Sequence, residues 1–402
     1  MTELVRGYVH PRFHSVRDEL LRSLRNGSEL GAGISVWYEG EVVVDLVCGV
    51  RDRERNLPFE HDTLSTMFSS TKGMVALCFL MLVDRGLLDY EAPISKFWPA
   101  FASPTKRTIT TRMLLNHRSG LIGLPRDFNL DDVRDRPTQL CALLEEAEPA
   151  WEPGTHQGYH AVTYGLYAAE LFKRITGESI GTFFAREVAR PLKADVYIGL
   201  PEALEPRVAK NVPLEGNERL RALPKVLYEG GCERAIMRQV IRKGDAYRAF
   251  QFPSEAGPQG IENYNTRRVH ALELPWGNGL GSARGLCRVY SALANGGAID
   301  GVRLVSKEAV RSLEARESWS DRDRVLCRPM GWTRGFVKED PGVFSSSLAS
   351  FGHPGAGGAL GWCDPTRRLA MAYLTAKMAF EVRSPRALSL AALVDASAGR
   401  VA

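Results

Sequence analysis

The chain has 402 residues, of which 44% are hydrophobic and 25% charged, and its formal net charge is +5. That length can bury a substantial core in one large domain or two joined ones, and the balance excludes a disordered or membrane-embedded body. The positive surplus comes from dispersed arginines that are locally offset, as in Arg51-Asp52-Arg53-Glu54-Arg55, so nucleic acid is not an expected partner.

The first residues lack the basic-then-apolar layout of a secretory signal, and no apolar run has the length of a membrane span, so a cytoplasmic location is expected. Residues 12–26 have a helical pattern, and 33–38 with 42–47 form a hairpin across Glu39-Gly40-Glu41. Helical periodicity dominates from about 66 to 200, at 71–86, 110–116, 130–147, 162–175 and 179–190. Residues 205–272 are polar and irregular, suited to a cap over a site. Helices follow at 283–294 and 306–317, then strand-like runs near 325–337, 346–352, 357–363 and 368–375, and a last helix near 384–395. This order predicts an α/β (α+β) fold whose sheet is assembled from 1–65 and 273–402 around a mainly helical insertion, 66–272. The seven cysteines are scattered, without C-x-x-C pairs or metal-ligand spacing, and are expected to be reduced.

Ser69-Ser70-Thr71-Lys72 opens an almost wholly apolar helix, with no charged residue from 74 to 83. Positions three apart share a helix face, so the Lys72 amine can reach the Ser69 hydroxyl. A desolvated amine with a lowered pKa can take a serine proton, which is what an activated nucleophile needs. By itself Ser69 also fits a helix cap, a role that Ser70 or Thr71 would fill just as well. A second S-x-x-K, Ser103-Pro104-Thr105-Lys106, lacks a following apolar helix and reads as an exposed loop.

Two further blocks supply partners. Pro153-Gly154 to Gly165 is a tight loop before a helix, and it can aim the Tyr159 hydroxyl into a cleft, where positive charge from Lys72 would stabilise a phenolate. By itself, Tyr159 also fits a packed aromatic. In Phe351-Gly352-His353-Pro354-Gly355-Ala356-Gly357-Gly358, the glycines signal close approach to the backbone, such as a substrate carbonyl beside an edge strand. A backbone N–H there can pair with that of Ser69 as an oxyanion hole.

In this order the blocks resemble the serine β-lactamase and penicillin-binding-protein superfamily, and most closely its class C β-lactamase-like carboxylesterases, the family VIII esterases. Leu114-Leu115-Asn116-His117-Arg118-Ser119-Gly120-Leu121 and Asn278-Gly279-Leu280-Gly281-Ser282-Ala283-Arg284 extend the likeness. It implies an antiparallel sheet flanked by N- and C-terminal helices, with a mostly helical inserted domain. It also implies Ser69 as acylated nucleophile, Lys72 and Tyr159 as the proton-transfer pair, and Ser69 and Ala356 N–H groups as the oxyanion hole. Gly355, His353, His160 and Trp276 are expected around the substrate. No metal or organic cofactor is implied.

The departures bear on substrate. Lactamases carry Tyr-x-Asn where this chain has Tyr159-His160-Ala161, and Lys-Thr-Gly where it has His353-Pro354-Gly355. Pro354 has neither hydroxyl nor N–H. These losses weaken lactam recognition more than ester hydrolysis, so a small-molecule ester is the expected substrate. A β-lactamase, a D-amino-acid peptidase or amide hydrolase, an acyltransferase and a non-catalytic binding protein are the alternatives. Gly177-Glu178-Ser179-Ile180-Gly181 matches the G-x-S-x-G elbow, but a helical run precedes it and Ser179 is expected to cap the next helix. His117 is expected to anchor a loop.

Overall fold

A computed structural model describes residues 4–214, 231–256, 260–338 and 344–399. Among these residues nine strands run in one antiparallel path: β1 (Val5–Val9), β2 (Gly31–Tyr38), β3 (Glu41–Asp52), β4 (Ser318–Ser320), β5 (Met330–Thr333), β6 (Phe336–Lys338), β7 (Phe351–Pro354), β8 (Leu360–Asp364) and β9 (Leu369–Thr375). Their spatial order is β1-β3-β2-β9-β8-β7-β6-β5-β4, and Leu57–Pro58 adds a tenth strand beside β3. The two chain ends meet where β9 pairs with β2, with Met371 opposite Val36 and Tyr373 opposite Ile34.

Alternation along these strands assigns the two faces. Ile34, Val36, Met371 and Tyr373 share one cluster with Val16 and Leu20 of helix α1 (His14–Arg25) and with Leu390 and Val394 of the last helix, Pro385–Ala398. Trp37, Ala370, Ala372 and Leu374 belong to the other face, with Leu286, Val289 and Tyr290 of Ala283–Ala294. The central strands are therefore buried on both sides. Their near-continuous apolar reading in sequence follows from that burial.

Helix α2 (Thr71–Asp84) is buried on every side from Thr71 to Leu82. It contacts α3 (Thr163–Thr176), the turn Ile180–Phe184 and strand β7, so it runs through the molecule rather than along its surface. No helix among the described residues is long and apolar enough to cross a membrane.

Several expected elements differ. The helix at 130–147 is broken into Asp132–Asp135 and Pro137–Glu146, because Arg136, forced out of helical geometry ahead of Pro137, has φ −133° and ψ 50°. The helix at 306–317 stops after Lys307–Arg311, and the chain then enters edge strand β4. Ala356–Gly358 forms a tight turn before β8, so the strand expected at 357–363 begins at Leu360. The described part of the segment 205–272, expected to be irregular, holds short helices: α4 (Cys232–Ile241), Asp245–Phe250, Ile261–Asn265 and Arg267–Ala271. Its residues 215–230 and 257–259 lie outside the described residues.

Candidate active site

Ser69 sits in a tight turn, Phe68–Ser70, that feeds directly into α2. The turn is held from both sides. Met67 N–H donates to Gly279 O at 2.7 Å, Thr71 Oγ1 accepts from Gly279 N at 3.0 Å, and Ser70 Oγ donates to His353 O at 2.8 Å. Ser70 is thus no helix cap; its hydroxyl joins the serine turn to β7. Phe68 adopts φ +44°, a left-handed conformation uncommon for a non-glycine residue, and leaves Ser69 half-exposed at the N-terminus of α2.

Lys72 is wholly buried. Its Nζ lies 3.4 Å from Ser69 Oγ and donates to two backbone carbonyls, Ala161 O at 2.8 Å and Trp276 O at 2.7 Å. Among the described residues no carboxylate pairs with it, and burial pushes its pKa well below the usual lysine value. Tyr159 Oη donates to Ser69 Oγ at 2.8 Å. Burial drives the Tyr159 phenol upward, a shift only partly opposed by the Ser69 hydrogen bond and the charge of Arg383. The Lys72 nitrogen lies over the Tyr159 ring, 5.0 Å from its centroid. A phenolate on Tyr159, expected from the sequence, is therefore disfavoured, and a neutral amine on Lys72 is favoured.

The glycine block approaches as expected, although what it approaches is the serine turn itself. A Cβ on Gly355 would lie 2.3 Å from Met67 O and 3.2 Å from Ser70 Oγ, so only glycine lets the end of β7 touch this turn. Strand β7 is interior to the sheet, not an edge. Its pairing with β6 ends at Gly352, however, while pairing with β8 continues to Pro354, so His353 and Pro354 form an open rim facing the site. Just beyond, Ala356 is exposed. Among the described residues, neither the Ser69 nor the Ala356 N–H donates to a backbone carbonyl.

The histidines divide. His353 lines the cleft beside Ser69 and Tyr159, with Nδ1 2.7 Å from Pro354 O. His160 does not line it. It is wholly buried behind Tyr159, with Nε2 2.8 Å from Ser119 Oγ and Nδ1 2.7 Å from Gly158 O. The substrate contact expected of it is corrected by this placement, because the strand-like loop turns alternate side chains inward. His117 Nδ1 accepts the His160 N–H at 2.9 Å, the loop anchor expected of it. Trp276 lines the cleft and also lends its carbonyl to Lys72.

Both decoys are structural. Ser179 Oγ accepts from Thr182 N at 3.2 Å and caps Ile180–Phe184, and it donates to Glu273 at 2.8 Å. Lys106 is buried rather than exposed, since its amine donates to Glu145 O, yet Ser103 Oγ is engaged with Thr105 instead. Among the described residues, no group of three or more His, Cys, Asp or Glu side chains could hold a metal ion.

Two cavities meet at Ser69. One of about 510 Å³ is lined by Phe68, Val162, Leu214, Phe250, Ile261, Tyr264 and Trp276. The other, about 210 Å³, is lined by Tyr159, Leu326, Met330, His353, Gly355, Val382 and Arg383. Ala356, Phe250 and residues 378–380 border both. Sequence reasoning missed Phe250, residues 378–380 and Asp323, which holds the Tyr159 backbone. Asp323 sits in the charged run Asp321-Arg322-Asp323-Arg324, which looks like an ordinary solvated surface.

The family model described as beta-lactamase matches residues 16–396. The esterase/beta-lactamase LipL of Mycobacterium tuberculosis is 34% identical over 374 residues, which cover 91% of this chain and 81% of that protein. The crystal structure of a family VIII carboxylesterase superposes with a TM-score of 0.84 at 35% identity, covering 98% of both chains. A penicillin-binding-protein homologue from Caulobacter crescentus superposes with a TM-score of 0.83 at 32% identity, covering 98% of this chain and 99% of that one. With the serine, lysine and tyrosine blocks all inside the matched span, the chain belongs to the beta-lactamase family.

Proposed function

We propose that this protein is a serine carboxylesterase that works through an acyl-enzyme on Ser69. The observation that carries the reading is the position of Ser69 Oγ, 2.8 Å from Tyr159 Oη and 3.4 Å from Lys72 Nζ. A neutral amine has two N–H bonds and one lone pair. With both N–H bonds given to Ala161 O and Trp276 O, the lone pair is left for the Ser69 proton. Lys72 rather than Tyr159 is thus the first proton acceptor.

Ser69 Oγ then bonds to the ester carbonyl carbon, and the resulting oxyanion is held by the Ser69 and Ala356 N–H groups. As the C–O bond to the alcohol breaks, Tyr159 gives its proton to the departing oxygen, and the Lys72 ammonium restores the phenol by way of the Ser69 oxygen, which both groups contact. Water repeats the path in reverse, releasing the acid and free Ser69. These steps call for no metal or organic cofactor. The esterase names of LipL and the family VIII structure support the same reading. Seven unpaired cysteines support a reducing compartment, the cytoplasm, as its location.

Lactam hydrolysis is a second reading, favoured by the double name of LipL. Against it, the Ala161 side chain is a methyl group and Pro354 has no donor. Labelling with a fluorophosphonate followed by peptide mapping should find Ser69, and short-chain p-nitrophenyl esters should be turned over faster than a chromogenic cephalosporin. A label on Ser179 or Ser103, or efficient lactam turnover without esterase activity, would refute the proposal.

A further inference from the structure

The two cavities at Ser69 differ in size, in lining and in access to Tyr159. The larger, of about 510 Å³, has no charged side chain among its described lining residues. The smaller, of about 210 Å³, includes Tyr159, Glu381 and Arg383. Tyr159 lines only the smaller one, while Ser69 and Ala356 line both.

A group that protonates a leaving oxygen must be within hydrogen-bond reach of it. If Tyr159 does so, the departing alcohol lies on the Tyr159 side, in the smaller cavity. The acyl group, which stays on Ser69, then points the other way. Phe68, Val162, Ile261, Tyr264 and Trp276 await it, and they recognise hydrocarbon rather than charge.

Resting on the ester-hydrolysis reading, we infer that the substrates are esters of a bulky apolar acid with a compact alcohol, not acetates of long alcohols. Acylation moves the acyl carbon from the alcohol oxygen to Ser69 Oγ and releases the alcohol carrying the Tyr159 proton. Hydrolysis moves the acyl carbon to water oxygen, releases the apolar acid and returns the proton to Ser69. Specificity for chain length is therefore set by acid length in the larger cavity and by alcohol length in the smaller.

Ethyl octanoate and octyl acetate are isomers that differ only in which side of the ester carries the chain. With the full chain and both esters below their solubility limits, kcat/KM for ethyl octanoate is expected to exceed that for octyl acetate by about tenfold or more. Ile261→Trp, which adds bulk to the larger cavity alone, should lower the ratio of ethyl octanoate to ethyl acetate turnover by about fivefold. Leu326→Ala, which enlarges the smaller cavity alone, should raise octyl acetate turnover relative to ethyl octanoate. Equal or reversed preference between the isomers, in an enzyme labelled at Ser69 and active on esters, overturns the inference and leaves the esterase reading standing. Failure on all three esters, with no label on Ser69, overturns both.

Discussion

The buried carboxylate of Asp323 accepts the backbone N–H of Tyr159 at 3.0 Å, and so fixes the residue whose hydroxyl meets Ser69. The same oxygen takes Val325 N and Leu326 N, each at 2.9 Å. Neighbouring Arg324 pairs with Asp245, and its carbonyl accepts from Gln239 of α4. The segment covering the site and the tyrosine at its centre are thus fastened to one short loop.

Asp323→Ala should strand three buried N–H groups and cost about 3 kcal/mol of stability, on the order expected for a broken buried network. Asp323→Asn keeps an oxygen acceptor and should lose much less. Denaturant midpoints measure the first effect. A fall in kcat larger than the change in KM, in Asp323→Ala and rescued in Asp323→Asn, would mark displacement of Tyr159. Equal losses in the two variants would mean the negative charge matters more than the acceptor.

The rate should depend on pH through Lys72. Burial lowers its pKa well below 10.5, so kcat/KM should climb to a plateau before an ordinary lysine would deprotonate. Burial raises Tyr159 above its ordinary value of 10.0, so that plateau should persist past the usual tyrosine range. Lys72→Met should lower kcat/KM by about 10³-fold or more, since both nucleophile activation and proton return are lost. A rising limb centred near 10.5 in the wild type would exclude Lys72 as the first acceptor.

Acid should destabilise the fold earlier than carboxylate titration would. Burial, the leading cause in each case, depresses His117 and His353 well below 6.5 and His160 to about 3. Each stays neutral when folded while the unfolded chain takes up a proton near 6.5, so stability is complete above 6.5 and falls as pH falls towards the folded value. The loss is about 1.4 kcal/mol per imidazole per pH unit. Urea unfolding at a series of pH values between 7.5 and 4.5 should show it, and His160→Gln should flatten the slope by about one proton's worth.

Ser179 provides the converse test. Ser179→Ala removes the cap of Ile180–Phe184 and should cost about 1 kcal/mol of stability while ester turnover survives. Ser69→Ala should abolish turnover. Loss of activity in a folded Ser179→Ala protein would reopen the elbow reading.

Part of this site was readable from local pattern. Ser69 and Lys72 are one helical turn apart, and a charge-free run follows them, so their shared face and burial are short-range consequences of the chain. Ser179 as a cap is similarly local. Burial without amphipathicity in α2, and continuous apolarity in β9, likewise express a simple rule, that an element covered on all sides needs no polar face.

Other features depend on residues far apart in sequence. The Lys72 amine is oriented by the carbonyls of Ala161 and Trp276, and every residue has a carbonyl, so side-chain pattern cannot announce them. His160 looked like a cleft residue beside Tyr159, and only the path of its loop turned it inward to Ser119. Residues 205–272 looked irregular because their helices are short and mostly polar, yet Phe250, Ile261 and Tyr264 wall the larger cavity.

The sequence by itself therefore determined the family, and it set Ser69 and Lys72 one helical turn apart at the head of an apolar helix, since these rest on residue identity and on short-range spacing. The tertiary structure alone decided that the Lys72 amine is buried against the carbonyls of Ala161 and Trp276, because those groups are brought to it across 89 and 204 residues of chain. It also decided which side of Ser69 is spacious and which is tight, because a cavity is the space left between elements and no one of them encodes its volume.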